Sequence, residues 1–296
     1  MSNMCITFTN DLYKNSMLNS MLYLCCQPGY FTEGLDYREA YVPKSSSLYG
    51  TVSMFYEISS VKADTSFFVI PDGCVDMVVS FSEGSCRSVS VCGTISNLYT
   101  MELTDCDYIF GMRFMPGKFP LNMIGDIEEY IDEQKNIGIY SREQAFITGL
   151  VKSADFYERI NCAAAYIASV SETAGYKEKV VEYAMERICG TTGNISIKAL
   201  SNEMVYSQRY IERIFKEYTG FTPKNMCKIV RAHKDLMMLL WDKKASRTDV
   251  SMECGYSDLS HMNRELKNVM GINSDMINFK DFYSNDAGSI ATVYKF

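Results

Sequence analysis

From Lys177 to Phe282 apolar residues recur at helical spacing, and the pattern breaks where capping and turn residues stand. Val180, Val181, Ala184, Met185 and Ile188 share one face of a helix predicted over 177–189. Gly190 and Gly193 interrupt it, and Ser196 caps a short helix through Met204. Ser207 caps the next, whose apolar face is Tyr210, Ile211, Ile214, Phe215 and Tyr218. Gly220 ends that helix, with Pro223 just beyond as a stop signal. A long helix over 223–241 follows, then a short one over 248–254. The Gly255-Tyr256 turn leads to a helix opened by Asp258 and buried through Leu259, Met262, Leu266 and Met270. Short helix, tight turn and second helix with a polar and basic outer face is the helix-turn-helix pattern, and it occurs twice.

The two occurrences are copies. Ser207, Arg213, Phe215, Lys216 and Gly220 are answered 51 positions later by Asp258, Arg264, Leu266, Lys267 and Gly271. Arginine, lysine and glycine recur unchanged, and the substituted pairs keep their roles as cap and core filler.

Upstream the period changes to that of strands. Short β-rich runs at 49–58, 66–70, 75–81, 88–92 and 108–114 are separated by clusters such as Pro71-Asp72-Gly73 and 82–85, which predicts a β-sandwich or barrel. Residues 1–29 show no clear period and receive no role. After Met115-Pro116-Gly117 the pattern turns helical, with one or two turns at 127–131 and a better helix at 156–170. The apolar stripe of that helix suits packing on its own domain or on its copy in a second chain, and the first is the simpler expectation. The predicted fold class is α+β in two domains. A β-rich sensor or dimerisation domain spans 1–125, a helical connector 126–176, a double helix-turn-helix domain 177–283 and a tail 284–296.

The net charge of −7 argues against a nucleic-acid partner until it is divided along the chain. Residues 1–176 hold 11 Lys and Arg against 21 Asp and Glu, whereas residues 177–283 hold 17 against 14. The acidity belongs to the N-terminal part and the helical part is mildly basic. Eleven cysteines form no CxxC pair, no signal peptide is recognisable, and no apolar run has the length of a membrane span. A cytoplasmic bacterial protein near the nucleoid, with no membrane contact and no cofactor, is the expectation.

Residues 177–283 resemble the DNA-binding domain of the AraC/XylS family of transcription regulators. The resemblance is carried by the run from Ser207 to Pro223, by Cys254-Gly255-Tyr256 leading into the helix to Lys267, and by Arg231 in the long helix. Leu266 stands where the family usually has Phe, Gly271-Ile272-Asn273-Ser274 lacks the usual Thr-Pro, and Asp235 and Ser251 sit where a small alanine is common. The resemblance implies two recognition helices, 207–218 and 258–270, that enter successive major-groove segments on one face of B-DNA. Its DNA-facing positions fall on Ser207, Gln208, Arg209, Glu212, Arg213 and Lys216 in the first, and on Ser260, His261, Asn263, Arg264 and Lys267 in the second. Arginine matches guanine O6/N7 and asparagine matches adenine N6/N7, while Lys216 and Lys267 suit phosphate contacts. Arg213 and Arg264, identical in both copies, equally suit helix-to-helix ties or phosphate. The departures bear on the rigidity of the second half, so the first is expected to supply most base reading. Promoter DNA is the implied partner, with RNA polymerase, a small-molecule effector and a second copy of the chain as further partners, and activation more often than repression.

Pro71–Met77 and Gly111–Gly117 resemble two markers of a cupin-like sensor domain found on a subset of these regulators. Both are read first as folding signals. Asp76 and Arg113 are the exceptions, because a charge in a β-rich stretch needs a partner: they pair with each other or face a polar effector. Enzyme activity is not expected. Residues 1–176 contain no histidine, which removes the usual cupin metal ligands and histidine-based acid–base chemistry. A reactive-cysteine sensor or repair protein would use Cys74, whose flanking carboxylates suppress the thiolate. An interaction module that has lost specific DNA binding is the other alternative.

Overall fold

The computed structural model describes residues 25–27, 35–60, 66–102, 108–138, 143–171, 175–241 and 245–277. The predicted tail and nearly all of 1–29 lie outside them. The N-terminal part is built on a six-stranded antiparallel sheet in the order β1-β2-β7-β4-β5-β8. Its strands are β1 (Leu35–Tyr41), β2 (Val52–Ser60), β4 (Val75–Ser82), β5 (Ser85–Cys92), β7 (Tyr108–Phe114) and β8 (Gln134–Asn136). A separate two-stranded sheet pairs β3 (Ser66–Val69) with β6 (Tyr99–Glu102).

The sheet sorts its residues with period two. Asp76, Arg113 and Met54 stand opposite one another across β4, β7 and β2, as do Val78, Gly111 and Tyr56; directly opposed residues share a face. The other face presents Phe55, Met77, Val79, Phe110, Met112 and Phe114, and buries them against α1 (Gln144–Lys152) and α2 (Phe156–Val170). The apolar stripe of α2 thus packs on its own sheet, through Phe156, Ile160, Ala163 and Ile167. Arg159 of α2 pairs with Glu57 of β2 at the margin of this layer. The predicted barrel is open. Among the described residues the outer strands β1 and β8 do not pair with each other, and the β3–β6 ribbon lies apart from the main sheet.

The C-terminal part is helical: α3 (Tyr176–Gly190), α4 (Ile197–Met204), α5 (Gln208–Thr219), α6 (Pro223–Trp241), α7 (Arg247–Glu253) and α8 (Leu259–Met270). No helix of the described residues is long and apolar enough to cross a membrane. Its core is not separate from the N-terminal part. Cys26, Tyr41, Met54 and Ile70 belong to the same buried cluster as Ile188, Phe215, Met226, Val230 and Met262.

Candidate nucleic-acid interface and effector chamber

The 51-residue repeat is reproduced in the capping geometry. Ser207 accepts a hydrogen bond from the Tyr210 N–H at 3.2 Å, and Asp258 accepts one from the His261 N–H at 2.8 Å. At the far ends Gly220 and Gly271 take φ of +76° and +71°, and their N–H groups donate to the carbonyls of Lys216 and Lys267. Only glycine enters that left-handed region freely, which is why both copies stop there. The buried face of α5 is Ile211, Ile214 and Phe215, and that of α8 is Met262, Leu266 and Val269. Leu266, the departure from the usual Phe, is fully buried.

Ser207, Gln208, Arg209, Glu212 and Arg213 stand exposed along the outer face of α5. On α8, Ser260, Arg264 and Lys267 are exposed, and His261 and Asn263 are half-buried. Arg213 lies over the Tyr210 ring and 3.6 Å from Glu217, so it stays on its own helix. Asn263 accepts a hydrogen bond from the Ser274 N–H at 3.0 Å, which commits its carbonyl to the chain after α8. The His261 Nδ1 lies 3.3 Å from the Ser257 hydroxyl. Lys216 reaches across to the N-terminal part and pairs with Glu128 of the 3₁₀ turn Ile127–Tyr130.

One helix braces both halves. Pro223 opens α6, and the Thr222 hydroxyl accepts from the Asn225 N–H at 3.2 Å. The 19 residues of α6 correspond to roughly 27 Å of rise, on the scale of one turn of DNA. Arg231, in the middle of it, donates to both carboxylate oxygens of Glu265 in α8 at 2.6 and 3.1 Å, and to Asn194 at 2.9 Å. Its guanidinium also lies over the Tyr256 ring. Asp235, also fully buried, accepts from the Tyr256 hydroxyl at 2.6 Å. Burial raises the Asp235 carboxyl to about 7. The residue that departs from the family's small alanine is thus a second tie between the spacer helix and the second helix-turn-helix.

On the N-terminal side a cavity of about 450 Å³ lies between the main sheet and the β3–β6 ribbon. The Tyr56 ring roofs Gly111 so closely that a Cβ there would sit 2.1 Å from it. Flat on the sheet, that ring sends its hydroxyl to Asp76 at 3.1 Å. Asp76 takes two further bonds from Arg113, at 2.9 and 2.6 Å. The remaining Arg113 nitrogen bonds Asp72 at 3.1 Å and the Cys25 carbonyl at 3.0 Å. Asp76 and Arg113 therefore pair with each other, and both also line the cavity. Burial raises the Asp72 carboxyl, against the opposing pull of Arg113.

The sequence pattern marks neither Gln27 nor Cys25, and marks Asp72 only as part of the Pro71-Asp72-Gly73 turn. Gln27 bonds both Asp72, at 2.7 Å, and the Ile70 backbone. Cys74 is buried 3.5 Å from the Cys25 sulfur, and burial, that contact and Asp72 push its thiol well up, away from nucleophilic chemistry. No group of three or more His, Cys, Asp and Glu side chains among the described residues is placed to hold a metal ion.

Two family models match. A helix-turn-helix domain covers residues 200–273, and a domain of unknown function, DUF6597, covers residues 40–135. No curated protein matches the chain by sequence. Solved structures of ToxT from Vibrio cholerae are similar at a distance. An apo variant from strain SCE256 aligns over 82% of this chain and 96% of its own, with 12% identity and a TM-score of 0.35. Wild-type ToxT from the same strain bound to an unsaturated fatty acid aligns over 81% and 92%, with 12% identity and a TM-score of 0.36. ToxT from strain O395 aligns over 85% and 98%, with 9% identity and a TM-score of 0.36.

Proposed function

We propose that this chain, which carries a helix-turn-helix domain behind a β-rich N-terminal domain, is an AraC/XylS-type promoter-binding transcription regulator that reads two major-groove segments. The observation that carries the reading is the pair of helices α5 and α8, capped alike at an interval of 51 residues and held by one spacer helix. Each presents polar and basic side chains outward. Arg209, Glu212 and Arg213 are the base readers of the first helix, and Ser260, His261 and Arg264 those of the second. The engagement of Asn263 by Ser274 supports a division in which α5 supplies more of the sequence preference.

The cavity beside Arg113 is the effector chamber in this reading, and activation through RNA polymerase, from a homodimer, is the output the family resemblance favours. Gel-shift titration against the DNA upstream of its own coding sequence tests the core of it. A complex that weakens steeply with salt supports the reading; no salt-sensitive complex at micromolar protein points to an interaction module that has lost DNA binding. In a binding-site selection, Arg213→Ala is expected to broaden base preference more than Arg264→Ala, and the reverse order overturns the division between the helices.

A further inference from the structure

We propose that the cavity between the main sheet and the β3–β6 ribbon takes an organic cation, an apolar body carrying an amine. The proposal deepens the effector reading and rests on it for its biological meaning. The size suits a ligand of drug-like dimensions, at about 450 Å³. One side of the wall is apolar, with Ile58, Phe67, Val78 and Ile109 in it.

The charges decide the class. Among the described residues lining the cavity, Arg113 is the one guanidinium or ammonium, against the carboxylates of Asp72, Asp76, Asp132 and Glu133. Arg113 is already spent. Two of its nitrogens hold both oxygens of Asp76, and the third holds Asp72 and the Cys25 carbonyl. Its side chain is only 2% exposed, so turning it to an incoming anion would break a buried pair, at a cost no surface contact recovers. A carboxylate ligand would lose its hydration beside Asp72 and Asp76 and gain no uncommitted cation. An ammonium meets a net excess of carboxylate charge instead, with Asp72 and Asp76 held by Arg113 and Asp132 by Ser96, and the rings of Phe67 and the exposed Tyr99 add cation–π faces at the wall and mouth. The Tyr56 hydroxyl already donates to Asp76, so the ring is fixed in place before a ligand arrives.

Calorimetric titration of the full chain at pH 7 with 6-phenylhexylamine, 6-phenylhexanoate and 6-phenylhexanol separates charge from shape, because the three share one skeleton. The amine is expected to bind at least tenfold more tightly than the acid and more tightly than the alcohol. An acid that binds as well as the amine, an alcohol that matches it, or no saturable binding by any of the three overturns the proposal. Met101→Trp, which fills the chamber, and Asn97→Trp, which plugs its mouth from an exposed turn, are expected to weaken the amine at least tenfold with an unchanged circular dichroism spectrum. Unchanged affinity in the variants that fold places the amine elsewhere and also overturns it. A chain that shifts promoter DNA but binds no probe refutes the cation alone; one that binds the amine but no DNA refutes the regulator alone.

Discussion

The Nε2 of His233 lies 3.1 Å from the carbonyl oxygen of Cys26, 207 positions earlier in the chain. His233 is on the spacer helix α6, and Cys26 adjoins the Cys25 carbonyl that receives Arg113. One short segment thus touches the charged floor of the cavity and the middle of the helix that joins the two helix-turn-helix motifs.

The burial of His233 makes stability depend on acidity. Burial lowers the His233 imidazole to about 3, aided by the nearby charge of Arg113 and opposed by the bond to Cys26. A depressed base favours the neutral folded form, so its stabilising contribution is intact above the ordinary value near 6.5 and is lost as pH falls toward 3. Replacing it removes this dependence. Between pH 7 and 4.5, the unfolding free energy of His233→Gln should gain about 2 to 3 kcal/mol relative to wild type, read from urea midpoints at both pH values. A constant difference would show that His233 is not the acid-sensitive group.

Lys216 and Glu128 join α5 to the N-terminal part. The pair is half-exposed on both sides, so it is weak by itself, yet it occupies a lysine otherwise suited to a phosphate. Glu128→Gln is expected to tighten DNA binding about threefold at low salt. Lys216→Ala should weaken it uniformly across sequences and flatten the slope of log affinity against log salt by about one. Gel shifts over a salt series measure both, and an unchanged affinity in Glu128→Gln would mean the pair does not compete with DNA.

Tyr256 and Asp235 fasten the second helix-turn-helix to the spacer. Tyr256→Phe leaves a buried carboxyl without its donor and should cost about 1 to 3 kcal/mol in chemical denaturation. Because the Asp235 carboxyl is raised to about 7, its contribution is present below the ordinary carboxylate value and lost as pH rises through 7. Asp235→Asn should therefore be least different from wild type at acid pH and relatively more stable above pH 7. A difference independent of pH would place the charge elsewhere.

The helical half was legible in the sequence because capping chemistry and apolar spacing agree at nearly every boundary. Ser196, Ser207 and Asp258 each cap the helix expected of them, and α2 and β7 fall on the predicted residues. Strand β1 escaped reading although Leu35 and Tyr37 alternate with exposed Asp36 and Arg38, because the buried Glu39 breaks the alternation; the other elements missed lack a side-chain signal. Strand β8 is Gln134–Asn136, three polar residues that pair through backbone alone, and β6 is short and mostly exposed. Helix α1 was hidden by Gly149, whose lack of a side chain admits the Cys162 sulfur. Asp76 and Arg113 stood out as charges in a β-rich stretch, but their third partner, Asp72, reads locally as a turn residue. Register alone could not show that the turn folds back under the sheet. Asp235 in place of an alanine is one of the departures, with Leu266, Ser251 and the missing Thr-Pro, that make the second half read as the looser one; its compensating donor, Tyr256, lies 21 positions away.

The mixed core that holds Cys26, Tyr41, Met54 and Ile70 beside Phe215, Met226 and Met262 has a consequence for how such a chain can be rebuilt. Gly73 sits so near the Met226 side chain that a Cβ would come within 2.5 Å of it, so the β-rich and helical parts are moulded against each other. Grafting the helical half onto a foreign sensor would bare an apolar seam that the new partner was not shaped to cover. The two parts change as a matched pair, and their modularity in sequence is not interchangeability in space.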